Sequence, residues 1–246
     1  MNERRVALVT GGTRGIGAAI TALLAADGIH VATGYHSNRE AAEALRDKLL
    51  AEDHSVSIHQ GSVGVPDDCV RVVGEVLESF GRVDYLINNA GVTVDKTVRK
   101  MTVEDWHAVL RVNLSGAFYM TKAVLEHMLG RGSGRIVNIS SAIGETGNIG
   151  QANYAASKSG LFGFTKSLAL ETARKGITVN CVTPGFIDTE MVAAVPEAAL
   201  QAAIARIPVG RLGRSAEVAR AVRFLLDDDS GYITGSVLAI NGGLDM

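Results

Sequence analysis

Cysteine is scarce. The two that occur, Cys69 and Cys181, lie far apart and form no Cys-x-x-Cys pair, and the six histidines are scattered without zinc-ligand spacing. A disulfide framework and a metal site are both unexpected on this pattern, and a reducing, cytoplasmic setting fits it. Proline is also rare: four residues in 246, none placed like a domain boundary. No apolar run approaches the eighteen or so residues of a membrane span. The apolar stretch after the polar segment Met1–Arg5 ends at Gly11, too short for a signal-peptide core, so neither secretion nor membrane insertion is expected. Charge of one sign is missing too. The net charge is -2, with both signs spread along the chain, which excludes a basic nucleic-acid surface and a polybasic membrane patch.

What is present is an alternation of short β-rich runs and longer helical patterns. The expected strands are Arg5–Thr10, His30–Gly34, Ser55–His59, Val83–Ile87, Arg135–Ile139, Thr178–Val182 and Val237–Ile240. The expected helices are Gly15–Asp27, Arg39–Glu52, Asp67–Ser79, Val103–Leu129, Asn153–Arg174 and Ala216–Leu226. Several strands are almost continuously apolar, as when both faces of a parallel sheet are covered by helices. Repeated βαβ units imply an α/β, doubly wound architecture with right-handed crossovers. Gly130 and Gly176 follow helical runs, where left-handed stops are expected. With no repeat and no linker, residues 1–246 read as one domain. Residues 186–210, Ala-rich and holding Pro196, read as a helical insertion that lids the substrate site.

The first strand runs into Thr10-Gly11-Gly12-Thr13-Arg14-Gly15-Ile16-Gly17, with a helix following. Glycines let a ligand approach the backbone, and a helix N-terminus offers free N–H groups to phosphate, so this loop points to a dinucleotide. The plain alternative is a tight turn. At the end of the second strand, Gly34-Tyr35-His36-Ser37-Asn38-Arg39 lacks the acid that would bind a ribose hydroxyl pair and repel a 2′-phosphate. With Arg14 in the loop, and His36 or Arg39 as further donors, the pattern favours NADPH over NADH.

Tyr154 and Lys158, four apart on an expected helix, share one face. An ammonium ~4 Å from a phenol contributes roughly 4 kcal/mol at an effective dielectric of ~20, enough to lower the phenol's pKa by up to about three pH units. The same spacing on an exposed helix face is common by chance. Its context is distinctive: Ser141 lies just past a buried strand, Asn88-Asn89-Ala90-Gly91 turns after another, and Asn113 is a polar residue inside a long helix. Ligands in such sheets bind beyond the carboxyl ends of strands.

Taken together, Thr10-Gly11-x3-Gly15-x-Gly17, Asn88-Asn89-Ala90-Gly91, Asn113, Ser141, Tyr154-x3-Lys158 and Pro184-Gly185 resemble the short-chain dehydrogenase/reductase family across essentially the whole chain. The resemblance implies a Rossmann-type fold with a seven-stranded parallel sheet and a catalytic tetrad of Asn113, Ser141, Tyr154 and Lys158. Tyr154 would donate the proton and Ser141 would bond the carbonyl oxygen, with Ser140 the alternative at that position. Lys158 would bind the nicotinamide ribose and depress the Tyr154 pKa, and Asn113 would hold a water on a proton relay. Cofactor contacts would come from Gly11, Thr13, Arg14, Gly15, Ile16, Gly17, Tyr35, Ser37, Ser62, Val63, Asn89, Ala90, Gly91, Tyr154, Lys158, Pro184, Gly185, Ile187 and Thr189, and substrate contacts from Ser141, Gln151 and Tyr154. One departure is Gly61-Ser62-Val63, where many relatives carry an acid against the adenine.

A narrower resemblance, carried by Asn88–Asp95, Gly147–Tyr154, Ile207–Gly213 and Tyr232–Gly235, is to the 3-oxoacyl-(acyl-carrier-protein) reductases and the acetoacetyl-CoA reductases. It implies NADPH-dependent reduction of a β-ketoacyl thioester, on acyl-carrier protein or CoA, in lipid metabolism such as fatty acid biosynthesis, by a homotetramer. Arg131, Arg174 and Lys175, at expected helix ends, would suit an acidic carrier protein or simply offset helix dipoles. Two other readings stand beside it: an oxidoreductase of the same family acting on another carbonyl or a secondary alcohol, and a non-catalytic dinucleotide sensor that regulates a partner.

Overall fold

The computed structural model describes residues 4–190 and 197–244. Its centre is a parallel sheet of seven strands in the order β3-β2-β1-β4-β5-β6-β9. The strands are β1 (Val6–Val9), β2 (His30–Tyr35), β3 (Val56–Gln60), β4 (Tyr85–Asn88), β5 (Gly134–Ile139), β6 (Ile177–Pro184) and β9 (Val237–Ile240). Two residues each of β7 (Ile187–Asp188) and β8 (Gly213–Arg214), not expected from the sequence, pair in parallel beside it. The helices are α1 (Gly15–Ala26), α2 (Arg39–Ala51), α3 (Pro66–Phe80), α4 (Val103–Leu110), α5 (Gly116–Arg131), α6 (Ile143–Thr146), α7 (Ala152–Thr172), α8 (Glu197–Ile204) and α9 (Ser215–Leu226).

Successive side chains of a strand point to opposite faces, and β1 shows the consequence. Ala7 and Val9 join one buried cluster with Ile20, Leu24, Val218, Val222 and Leu225 of α1 and α9. Val6 and Leu8 join the other, with Val72, Val76, Met120, Val124, Met128 and Leu168 of α3, α5 and α7. Every residue of β1 and β6 is buried. Covering both faces is what makes these runs continuously apolar rather than alternating. Each fully buried Leu or Ile contributes about 1.5–3 kcal/mol over its exposed state.

Two expectations need correction. Residues 103–129 are not one continuous helix: Arg111–Ser115 form a π-turn between α4 and α5, and Gly116 N–H donates to Arg111 C=O, five residues back. Gly130 is not the stop either, because α5 continues to Arg131 and Gly132 takes the left-handed conformation, φ 65°. Gly176 does adopt it, φ 74°. Of the proposed lid, residues 186–210, the stretch 191–196 lies outside the described residues; β7 precedes it and α8 follows it. Among the described residues, no helix is long and apolar enough to cross a membrane.

The sheet order reverses between β1 and β4, which opens a crevice at their carboxyl ends. The glycine loop after β1 and the Asn89-Ala90-Gly91 turn after β4 therefore meet. Asn89 and Ala90 N–H both donate to Thr10 Oγ1 at 3.0 Å, and Asn89 Nδ2 donates to Thr10 and Gly11 carbonyls at 2.9 and 3.0 Å.

Candidate active site

That crevice is a cleft of about 1220 Å³, larger than a typical drug-sized site. Every cofactor contact that the family resemblance implies lines it, and so does Ser141. Asn113 and Gln151 are not on its wall.

One end is a helix N-terminus behind a glycine loop. The residue before α1, Arg14, makes no side-chain cap, and the first turn holds no acid, so the leading N–H groups of α1 face the cleft free. Gly17 sits where a Cβ would collide with the Gly11 carbonyl oxygen, and Gly11 takes φ 60°. Both glycines are thus required by the loop itself, independently of any ligand. Arg14 Nη1 pairs with Glu190 Oε2 at 3.2 Å across the rim. At the tip of β2, His36, Ser37 and Asn38 line the cleft with no acid among them. Asn38 caps α2 through Ala41 N–H at 2.9 Å, and Arg39 turns away to Glu43 at 2.8 Å, so Arg39 is not on the wall.

Sequence reasoning missed wall residues that come from elements distant in the chain. Asp68, in the first turn of α3, accepts from Ser62 N–H at 2.8 Å and pairs with Arg71 at 3.0 Å. The Ser62 N–H and the Arg71 guanidinium hold its carboxyl below the usual carboxylate range. An acid thus stands beside Ser62 after all, supplied from six residues downstream. Arg111, exposed in the π-turn, also lines the cleft. The only available signal was Arg111's neighbour Asn113, a polar residue in an expected helix.

At the other end stand Ser140, Ser141, Tyr154 and Lys158. Ser141 stands near enough to Tyr154 to favour its ionised form, and Ser141 Oγ accepts from Ile143 N–H at 3.2 Å. Ser140 instead donates to the Lys158 carbonyl at 2.8 Å, which turns its hydroxyl into the protein. Lys158 is 4% exposed; its Nζ donates to the Ile139 carbonyl at 2.8 Å and lies 5.7 Å from the centre of the Tyr154 ring. Gly91 keeps the space beside it open, since a Cβ there would stand 3.4 Å from Nζ.

The electrostatics reverse one expectation. Burial pushes the Tyr154 phenol above its ordinary value, against a lowering by the nearby Ser141, and the negative charge of Asp95 adds to the rise. Burial also pushes Lys158 down to about 8, only partly offset by Cys181. The pair is therefore poised as a protonated phenol beside a weakened ammonium, and desolvation outweighs the attraction that i,i+4 spacing alone suggests. Asn113 is packed beside this pair. It is 2% exposed, and its carboxamide holds Val92 N–H at 2.8 Å, the Val92 carbonyl at 3.0 Å and Ser157 Oγ at 3.1 Å. Its side chain braces the loop after β4. The π-turn follows from this bracing: an extra residue per turn lets Asn113 reach Val92 without breaking the helix.

Residues 5–199 match the family model described as short chain dehydrogenase. Over 240 residues the chain is 49% identical to an acetoacetyl-CoA reductase of Shinella zoogloeoides and 50% identical to one of Rhizobium meliloti (strain 1021). Each alignment covers 97% of this chain and 98% of the relative. It is 45% identical over 244 residues to the 3-oxoacyl-(acyl-carrier-protein) reductase of Escherichia coli (strain K12), covering 99% of this chain and 98% of that protein. With this coverage, this identity and a seven-stranded parallel sheet of the expected kind, the chain belongs to the short chain dehydrogenase family.

Proposed function

We propose that this protein reduces a β-ketoacyl thioester, carried on CoA or acyl-carrier protein, to the 3-hydroxyacyl thioester with NADPH. The observation that carries the reading is the meeting of Ser141, Tyr154 and Lys158 on one wall of a cleft whose far end is an uncapped helix N-terminus behind a glycine loop. When bound, the dinucleotide supplies the hydride. Tyr154, kept protonated by burial, hands its proton to the carbonyl oxygen as that oxygen gains charge. Ser141 bonds the same oxygen and orients it. Lys158, held by the Ile139 carbonyl, stabilises the phenolate left behind and faces the ribose side of the cleft. Asn113 braces the loop that carries Gly91.

The absence of an acid among Tyr35, His36, Ser37 and Asn38, with Arg14 on the rim, supports NADPH. The names of the relatives support the thioester. The outward Phe118 of α5 and Leu170 of α7, 47% and 85% exposed, support pairing of these helices between copies in a tetramer.

The test follows NADPH oxidation at 340 nm with acetoacetyl-CoA, with an acyl-carrier-protein substrate and with simple ketones, against NADH. NADPH with a thioester should be preferred at least tenfold. Tyr154→Phe should lower kcat about a thousandfold while NADPH still binds; a Tyr154→Phe enzyme with a tenth or more of wild-type activity would refute the assigned acid.

A further inference from the structure

Asn153, the residue before Tyr154, is completely buried. Its Oδ1 accepts the Tyr154 N–H at 2.8 Å. Its Nδ2 donates to the Val94 carbonyl at 3.1 Å and to the Asp105 carbonyl at 3.4 Å. One side chain thus joins three elements: the first turn of α7, the irregular loop after β4, and the first turn of α4. The N-cap of α7, Gln151, makes no capping bond. Its Nε2 instead contacts both Asp95 oxygens at 3.1 Å, and its Oε1 accepts from Asn148 at 2.8 Å. The Tyr154 N–H would be an orphan donor at that helix end, and Asn153 satisfies it.

The same loop is stapled elsewhere. Asn113 holds Val92 by two bonds, Lys96 N–H donates to the Gly150 carbonyl at 2.8 Å, and Lys96 Nζ pairs with Asp105 at 2.7 Å. Two buried asparagines, Asn113 and Asn153, therefore grip Val92 and Val94. Upstream, this loop begins with Asn89-Ala90-Gly91, the wall of the dinucleotide cleft.

We propose that Asn153 is the positioning residue for Tyr154, locking the height of the phenol to the cofactor-facing loop through Val94 and Asp105. The proposal rests on the reading of Tyr154 as the proton donor. The geometry demands one acceptor and two donors on a short side chain, which asparagine alone supplies. Aspartate would aim a second acceptor at two carbonyls, and serine would keep an acceptor for the Tyr154 N–H but lose the double donor. A displacement of about 1 Å at a reacting group costs on the order of a hundredfold in rate.

The experiment compares wild type, Asn153→Ser and Gln151→Ala in the full-length protein, with Tyr154→Phe as the spectroscopic blank. Phenol ionisation is read as the difference in absorbance near 295 nm against Tyr154→Phe, without substrate. In parallel, kcat and KM are measured with acetoacetyl-CoA, and the Kd of NADPH by fluorescence. Asn153→Ser should move the Tyr154 ionisation by at least about half a pH unit. It should lower kcat by about thirtyfold or more, leaving KM within about threefold and the NADPH Kd within about twofold. Gln151→Ala, which removes the contacts to Asp95 and Asn148 at the surface of the same junction, should shift both readouts the same way by less; it decides the question if Asn153→Ser does not fold. An unchanged ionisation and kcat, with only a lower Tm, would overturn the assignment. If wild type reduces no carbonyl compound, the functional reading fails, but the absorbance titration still tests the positioning.

Discussion

Replacing Lys158 with methionine should make the protein more stable and less active at once. Lys158 is buried, and its pKa falls from 10.5 to about 8. At pH 7 the folded protein must carry the ammonium into a desolvated site that the unfolded chain does not impose. A shift of that size costs about 3 kcal/mol. Methionine fills a similar volume and gives up the bond to the Ile139 carbonyl, worth about 1–2 kcal/mol. The net gain is about 1–2 kcal/mol, or roughly 3–6 °C in Tm for a domain this size. The sign carries a pH signature. Between pH 8 and 10.5 the unfolded chain binds more protons at this site than the folded one, so wild-type stability from this group rises with pH and the penalty fades. The Tm advantage of Lys158→Met should be full at pH 7 and nearly gone at pH 9.5, measured without ligands by calorimetry. Activity should move the other way. A charge 5.7 Å from the Tyr154 ring contributes about 3 kcal/mol to a developing phenolate at an effective dielectric of ~20, about a hundredfold in rate. A Tm difference that is negative at pH 7, or identical at pH 7 and 9.5, refutes the argument that desolvation dominates at Lys158.

Further outcomes follow from the same geometry. Gly17→Ala should weaken NADPH binding by at least tenfold in a fluorescence titration, because its Cβ meets the Gly11 carbonyl, a backbone atom that cannot yield without opening the loop. Glu190→Gln should tighten NADPH by at most about fivefold and leave NADH unchanged, since an exposed ion pair to Arg14 is a weak competitor for that guanidinium. His30 is buried, bonded to Ser55 at 2.7 Å and Ser57 at 3.1 Å and stacked on Phe80, and burial lowers its pKa to about 4. In the window between 4 and 6.5 the unfolded chain binds the extra proton, so stability falls as pH drops through it. Urea unfolding of wild type should lose about 2 kcal/mol between pH 7 and 5 from this group, and His30→Gln should flatten that loss.

The sequence disclosed what is local. A strand buried on both faces is apolar throughout, so β1 and β6 announced a parallel sheet, and the glycine loop carried its own conformational requirement at Gly11 and Gly17. Tyr154 and Lys158 were legible because helical spacing places them together. What stayed hidden depends on partners far along the chain. The π-turn at Arg111–Ser115 follows from the docking of Asn113 on Val92, 21 residues away, and no periodicity encodes that. Asp68 enters the cleft from α3 and stands beside Ser62, where a residue-by-residue comparison registers only a missing acid. The same division explains the reversed electrostatics. Spacing reports how near a cation lies to a phenol, whereas the pKa depends on how much water both have lost, and that is settled by α7 packing onto β5 and β6. A helix face that is polar in sequence and buried in the fold is where proximity and environment pull in opposite directions. At Lys158 environment prevails, so its cation is held at an energetic cost, and the clearest mark of that cost is the stability that its replacement should recover.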